Sequence, residues 1–181
     1  MEIKKASSRE ISEILRVNEH AFGESQGPEL RHLVSSLLED LSAKPNFSFV
    51  ALENNTVIGH ILFTKVSIQG ASKDLPAQIL APLAVLPDYQ RMGAGSQLRE
   101  AGLKELRKAG VKLVFVLGHP TYYSRYGFSP AGKHGFAAPY PIAHEHSDAW
   151  MVQELCPGII ETEQGEVLCA DALNKPEHWQ E

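Results

Sequence analysis

A short glycine-containing segment in the middle of the chain has residue types and a spacing that suit an anion. Residues 90–95 read Gln-Arg-Met-Gly-Ala-Gly and lie between a predicted strand and a predicted helix. The first turn of a helix offers unpaired amides and about half a positive charge, and glycine lets a phosphate approach closely. Arg91 adds a side-chain charge, and successive amides over residues 91–96 would form the concave surface that a diphosphate needs. Two glycines are also compatible with a tight turn that binds nothing.

Two other nucleotide-binding motifs do not fit this segment. The phosphate loop of NTPases needs a lysine followed by Ser or Thr, whereas Gly95 is followed by Ser96 and Gln97. The NAD-binding pattern needs a third glycine where this chain has Leu98. A nucleotide- or phosphate-binding regulator is therefore disfavoured.

The elements around the segment form a strand, helix, strand unit. An apolar strand is predicted over residues 78–85, a helix from Gly93 to about Ala109, and a nearly all-apolar strand over residues 111–117. Pro82 lies inside the first of these strands and has no N–H for a ladder. We therefore expect a bulge or an unpaired edge at Pro82.

The N-terminal part of the chain predicts a strand, two helices and a hairpin. Residues 3–6 are strand-like, a first helix runs to about Ala21, and a second helix has Pro28 in its first turn. Asn54 and Asn55 tolerate positive φ and join two segments rich in strand formers, which favours an antiparallel hairpin.

The length of 181 residues favours a single domain over residues 1–181. Its core motifs are predicted in residues 78–130 and further short strands in residues 131–170, after a polar, partly exposed link over residues 69–76.

Residues 83–95, Leu-Ala-Val-Leu-Pro-Asp-Tyr-Gln-Arg-Met-Gly-Ala-Gly, resemble the central segment of the GNAT superfamily of acyl-CoA N-acyltransferases. The superfamily signature, Gln/Arg-x-x-Gly-x-Gly/Ala, is met at Gln90, Gly93 and Gly95, and residues 122–128 (Tyr-Tyr-Ser-Arg-Tyr-Gly-Phe) match a downstream segment. The resemblance covers about the first 130 residues, and the tail is similar to a small, largely uncharacterised bacterial branch. It implies an α/β (α+β) fold, with a mixed, mainly antiparallel twisted sheet flanked by helices.

The same resemblance implies acetyl-CoA as co-substrate. Backbone groups of the strand would bond the pantetheine arm, and the loop amides would hold the diphosphate. In the superfamily the fourth and fifth strands splay apart where the cofactor enters, and Pro82 is compatible with such a break. The cofactor-binding residues implied in this way are Leu83, Ala84, Val85, Gln90, Arg91, Met92, Gly93, Ala94, Gly95 and Ser96.

Direct acyl transfer involves two proton transfers, because the attacking amine must lose a proton and the departing thiolate must be stabilised or gain one. By the resemblance, Tyr123 is the general acid that protonates the sulfur, with Tyr122 and Tyr126 as packing residues or pocket walls. Neither cysteine lies in a motif that suggests a nucleophile or a metal site, and both are expected to be buried, inert thiols.

The general base is left open between Glu24 and Glu29, which are expected in or just after the loop joining the first two helices. For each, a solvated surface carboxylate is the alternative. His119 stands where many relatives have Asn or Asp, so it could contact the cofactor, cap the following helix or have no catalytic part. His144 and His146 flank a glutamate, but no third ligand is fixed by spacing, and we expect a surface loop and no metal site.

The bulk composition excludes other classes of function. The formal charge is −5 and basic residues are scattered, so nucleic acid and anionic membranes are not expected partners. The N-terminus has no apolar segment and no run could span a bilayer, which favours a cytoplasmic protein. The main hypothesis is an N-acetyltransferase acting on an amine of unknown identity through a ternary complex, and the alternative is a non-catalytic acyl-CoA sensor or degenerate family member. A homodimer is left open.

Overall fold

The computed structural model describes residues 1–72 and 75–180, so part of the predicted link over residues 69–76 lies outside the described residues. The strands are β1 (Glu2–Lys5), β2 (Phe47–Glu53), β3 (Thr56–Gln69), β4 (Ala77–Val85), β5 (Leu113–Leu117), β6 (Ser129–Pro130), β7 (Phe136–Ala137), β8 (Trp150–Glu154) and β9 (Gly165–Leu168). The α-helices are α1 (Ile11–Ala21), α2 (Gly23–Glu39), α3 (Ala94–Lys108), α4 (Pro120–Ser124) and α5 (Ile159–Thr162).

The central sheet is mixed and mainly antiparallel, as predicted. Its strand order is β1-β2-β3-β4-β5-β8-β6, and β9 joins the far end of β3 and pairs with β7. Within the described residues, the β4–β5 and β7–β9 ladders are parallel and the other ladders are antiparallel. The parallel β4–β5 pair with α3 between its strands is the predicted strand, helix, strand unit.

The two faces of the sheet are covered by different helices. Side chains of α1 and α2, such as Val17 and Val34, pack with Leu62 and Phe115 in one buried cluster. Side chains of α3 pack in a second cluster against residues that alternate with these along the strands, such as Phe63. Because β5 is buried on both faces, its nearly all-apolar sequence is explained.

Local sequence signals placed most of the boundaries correctly. The β2–β3 hairpin turns at Asn54 and Asn55, whose φ values are +51° and +63°. Gly110, with φ +85°, follows the end of α3.

The predicted start of the second helix is wrong. Helix α2 begins at Gly23 and contains Pro28 in its interior rather than in its first turn. Gly27 allows α2 to pack closely against α1, because a Cβ at this position would overlap the backbone oxygen of Glu19 on α1. The close packing of α1 against α2 therefore stabilises α2 around Pro28, where the proline removes one backbone hydrogen bond. As a result Glu24 is a helical residue and not a loop residue, while Glu29 is helical as a position just after the loop implies.

No helix within the described residues is long and apolar enough to cross a membrane.

Candidate active site

The central opening in the sheet lies where β4 and β5 separate. Their parallel pairing runs from Ala77 and Leu113 to Leu80 and Val116 and then stops. On its other side β4 stays paired with β3 as far as Val85. Strand β4 therefore has an open edge beyond Leu80.

The break coincides with Pro82, as the sequence predicts. The β3–β4 register shifts between Ile61, opposite Leu83, and Phe63, opposite Leu80. Because proline has no N–H, it cannot complete the ladder at this point, and the bulge accommodates it.

The backbone groups on the open edge follow from the ladder. Leu86 N donates to Ile58 O at 2.9 Å, so Leu86 faces β3. Alternate residues of an antiparallel strand face the same neighbour, so Ala84 also bonds to β3, while Leu83 and Val85 direct their backbone groups to the open edge. The carbonyl oxygen of Val85 accepts from Gln90 Nε2 at 3.1 Å, which ties the glycine loop to this strand.

The glycine loop between β4 and α3 has the geometry of an anion-binding turn. Arg91 and Gly93 have φ values of +66° and +88°. The first hydrogen bond of α3 runs from Gln97 N to Gly93 O at 3.0 Å. The amides of residues 94–96 precede it and have no partner within the helix. Free amides in the first turn of a helix point toward its N-terminus, and a position of this kind favours an anion.

Tyr123 on α4 is buried, with 8% of its surface exposed, and lines the opening between β4 and β5. Its ring packs edge-on against Tyr122 at 4.9 Å and Phe128 at 5.4 Å between centroids. A side chain at Gly118 would collide with this ring, so the glycine makes room for it. Burial, with a smaller effect from Tyr122, raises the pKa of Tyr123 above its ordinary value, and Arg99 partly opposes this. Tyr123 therefore keeps its proton at neutral pH.

A cleft of about 520 Å³ is lined by Tyr123 and by one of the two carboxylates considered as bases. Glu29 lines this cleft, together with the open edge of β4 and with His119. Glu24 lines a different cavity of about 770 Å³ between α1, α2 and residues 86–89. Only one of the two candidates is thus brought together with Tyr123.

His119 precedes α4 and makes no side-chain capping hydrogen bond to it. The structure therefore disfavours a capping role and places the imidazole at the cleft wall.

The sequence analysis missed the C-terminal segment, residues 173–180, which forms another wall of the cleft. Leu173, Glu177, His178, Trp179 and Gln180 all line it. Trp179 anchors the segment, since its ring is 2% exposed, packs edge-on against Trp150 at 5.5 Å and donates from Nε1 to Leu173 O at 3.0 Å. A tryptophan within an otherwise mostly polar segment was the available signal.

His178 in this segment has a pKa below its ordinary value, chiefly because it is partly buried. Lys175 and His32 lower the pKa further, whereas Glu177 and Glu29 oppose the shift. The side chain is therefore mainly neutral at pH 7.

The remaining polar candidates lie outside the cleft. His144 and Glu145 are exposed on a 3-10 turn, as expected for a surface loop. Among residues 1–72 and 75–180, no three His, Cys, Asp or Glu side chains are grouped to hold a metal ion. The cysteines are free and half-buried rather than fully buried, and burial raises the pKa of Cys169 to about 11, which keeps it a thiol.

Comparison with known proteins accounts for this arrangement. The family model described as an acetyltransferase (GNAT) domain matches residues 2–131. The chain belongs to the GNAT acetyltransferase family. The Escherichia coli K12 protein YjhQ, an uncharacterised N-acetyltransferase, is 47% identical over 163 residues, which are 90% of this chain and 88% of YjhQ. This confirms the resemblance, the predicted fold and the acetyltransferase class.

Two GNAT crystal structures with bound cofactor are similar along nearly the whole chain. YhbS from Escherichia coli, in complex with CoA, has a TM-score of 0.85 and 28% identity, and the alignment covers 96% of this chain and 92% of that one. A GNAT acetyltransferase from Brucella melitensis, in complex with acetyl-CoA, has a TM-score of 0.71 and 30% identity, with 95% and 97% covered.

Proposed function

We propose that this protein is an N-acetyltransferase that transfers the acetyl group of acetyl-CoA directly to an amine within a ternary complex. The observation that carries the proposal is that three features adjoin one another. The cleft that is lined by Tyr123 is also lined by Ala81, Pro82 and Leu83 at the open edge of β4, and the Leu83 side chain lies beside Gly95 at the start of α3. The CoA and acetyl-CoA bound to the two GNAT relatives support this ligand. Because acetyl-CoA is an intracellular metabolite, the proposal includes a cytoplasmic location.

In this proposal the cofactor meets backbone groups more than side chains. The amides of residues 91–96 hold the diphosphate, with Arg91 adding charge from outside. Of the three strand residues that the resemblance implies, Leu83 and Val85 would bond the pantetheine amides, because Ala84 is directed to β3. Gln90 supports the site indirectly by fixing the carbonyl of Val85.

The reaction begins when the lone pair of a neutral amine attacks the thioester carbonyl. A tetrahedral intermediate forms, its C–S bond breaks, the nitrogen loses one proton and the sulfur gains one. A free phenol titrates near ~10 and a thiol near ~8.5, so transfer of the tyrosine proton to a free thiolate is unfavourable by about 2 kcal/mol. Tyr123 therefore acts first as a hydrogen-bond donor to sulfur as negative charge develops, and its proton moves only when the proton lost by the amine replaces it.

Glu29 is the better candidate for the group that receives the amine proton. It lines the same cleft as Tyr123, on the side formed by α2, whereas Glu24 lines the other cavity. A carboxylate at the cleft wall accepts the proton directly or through water. It also attracts the ammonium form in which most amines arrive at neutral pH.

The test combines calorimetry with release of the CoA thiol. We expect wild-type protein to bind acetyl-CoA but not NAD, and to release thiol only when an accepted amine from a panel is present. Glu29→Gln should lower turnover by about 10²-fold, while the matched variant Glu24→Gln on the same helix keeps wild-type turnover. No binding at millimolar acetyl-CoA would overturn the proposal. Binding without thiol release across the panel would show a sensor instead, and loss of activity in Glu24→Gln alone would move the base to that residue.

A further inference from the structure

Arg99 is a buried charge for which residues 1–72 and 75–180 supply no carboxylate partner. It lies on the second turn of α3, and only 2% of its surface is exposed. A buried arginine is normally paired with an acid. Yet among residues 1–72 and 75–180 no carboxylate lies within ion-pair distance of this guanidinium. Within the described part of the chain, no negative charge therefore compensates that of Arg99.

Two tyrosines of the α4 region surround the guanidinium. Arg99 Nη1 donates to the hydroxyl oxygen of Tyr122 at 2.8 Å. Its Cζ lies 3.4 Å from the ring centroid of Tyr126 and 5.7 Å from that of Tyr122. Both rings present electron-rich faces to the cation, which lowers the cost of burying it without neutralising it.

The hydroxyl of Tyr122 lies beside the anion-binding loop. The point that a Cβ on Gly95 would occupy is 3.5 Å from the Tyr122 oxygen and 3.8 Å from Leu83 Cδ2. The phenol tip is thus next to the start of α3, beside the same glycine that the Leu83 side chain of β4 approaches. The absence of a side chain at Gly95 leaves the hydroxyl accessible from the loop.

The proton of this hydroxyl has no acceptor in the described part of the chain. A guanidinium has only donors, so the Tyr122 oxygen must accept from Arg99 and its own O–H must be directed elsewhere. The neighbouring amides of α3 are donors as well. A group that accepts hydrogen bonds and carries negative charge would satisfy the hydroxyl, the amides and the buried cation together.

We propose that Tyr122 is a further cofactor-binding residue whose hydroxyl donates to the diphosphate of CoA, and that Arg99 is a positioning residue that acts through it. This inference rests on the proposed function. The Arg99 guanidinium holds the phenol in place and, by withdrawing electron density from its oxygen, makes the O–H a stronger donor. The contact selects cofactors that carry the diphosphate over the bare acyl-pantetheine arm.

The experiment compares two ligands that share the thioester and the pantetheine arm. Acetyl-CoA carries the diphosphate, and S-acetylpantetheine does not. In Tyr122→Phe we expect the dissociation constant for acetyl-CoA to rise by about 10- to 100-fold, and the kcat/KM for S-acetylpantetheine to stay at the wild-type value. Tyr140→Phe is the matched control, because it removes a hydroxyl that donates to Asn174 O, outside the loop.

Two results would overturn the inference. One is an unchanged acetyl-CoA affinity in Tyr122→Phe. The other is an equal loss with both ligands, which would show that the residue only packs the cleft. If wild-type protein failed to bind acetyl-CoA, the proposed function would fall as well, so the two failures are distinguishable.

Arg99→Met tests the positioning role, because methionine keeps an unbranched apolar side chain and removes the charge. We expect it to weaken acetyl-CoA binding about as much as Tyr122→Phe does, again without an effect on S-acetylpantetheine. The double variant that combines Arg99→Met with Tyr122→Phe should lose little more acetyl-CoA affinity than either single variant, since both substitutions disrupt the same contact with the diphosphate. Fully additive losses would show that Arg99 does not act through Tyr122 and would overturn that role.

Discussion

The two faces of the sheet treat a buried polar side chain in opposite ways. On the α1 face His60 is fully buried, and both ring nitrogens have partners, Asn18 Nδ2 at 3.0 Å and Ser48 Oγ at 2.9 Å. Since the Asn18 amide is the donor, His60 accepts at Nδ1 and donates from Nε2. Burial lowers the pKa of His60 to about 3, so the ring is neutral.

On the α3 face Arg99 is also buried, and within the described residues its hydrogen-bond and cation–π partners are tyrosine side chains. The difference indicates what each face does. The ring of His60 is satisfied by the protein itself and contributes to stability, whereas in our proposal the polar groups on the α3 face are completed by a ligand. Changes to the buried polar side chains on the α3 face should therefore affect cofactor binding and turnover, and changes to those buried on the α1 face should affect folding.

The largest effect is expected for Tyr123→Phe. Turnover should fall by about 10²- to 10⁴-fold, because the sulfur loses its hydrogen-bond and proton donor. The melting temperature and the acetyl-CoA affinity should change little, since the ring still packs against Phe128. Because the pKa of Tyr123 is raised, wild-type turnover should not decline through its ionisation below about pH 10. Steady-state turnover of both proteins across pH checks this, and equal turnover would remove Tyr123 from the mechanism.

On the α1 face, the prediction concerns acid stability. The folded pKa of His60 lies below its unfolded value of 6.5, so between these values the unfolded chain binds more protons. Stability is thus fully present above pH 6.5 and is lost as the pH falls toward 3. Between pH 6.5 and 4 this loss should be about 3 kcal/mol.

The measurement is urea unfolding of wild type and His60→Gln across this range, because glutamine keeps a neutral polar group and cannot titrate. The wild-type protein should lose more stability on acidification than the variant, while acetyl-CoA affinity at pH 7 stays similar. Parallel stability curves from pH 7 to 4 would show that the pKa of His60 is not lowered by folding. The contrast between His60 on the α1 face and Arg99 on the α3 face would then lose its first half.

Short-range signals explain what the sequence could predict. The glycines of the loop, Pro82 in β4 and the Asn54–Asn55 turn each specify backbone geometry within a few residues, and the structure has all three features. The same holds for the strand, helix, strand unit, because its hydrophobic patterns differ clearly between strand and helix.

Long-range packing explains what the sequence could not predict. The start of α2 depends on contact between Gly27 and Glu19 of α1, which overrides the usual first-turn position of a proline. The return of Trp179 to the cleft depends on its contact with Trp150, and no local pattern specifies that pairing. Arg99 reads in sequence as an ordinary polar residue of an amphipathic helix. Only tertiary structure shows that it is buried and that no acidic side chain in residues 1–72 and 75–180 pairs with it.

The smallest expected effect is the change in the free energy of unfolding in Arg99→Met, and it tests the comparison of the two sheet faces most directly. If Arg99 is kept for the ligand, its burial gains the free protein little, because the tyrosine side chains offset only part of the desolvation of the guanidinium. Arg99→Met should then leave the free energy of unfolding without cofactor unchanged or raise it by up to about 2 kcal/mol. With saturating acetyl-CoA the order should reverse, because the wild type gains more from a ligand that it binds more tightly. Urea unfolding of the wild type and of Arg99→Met, with and without acetyl-CoA, measures both free-energy differences. A loss of more than about 1 kcal/mol in the free variant would instead make Arg99 a stabilising core residue, and the two faces would then differ only in which polar group each buries.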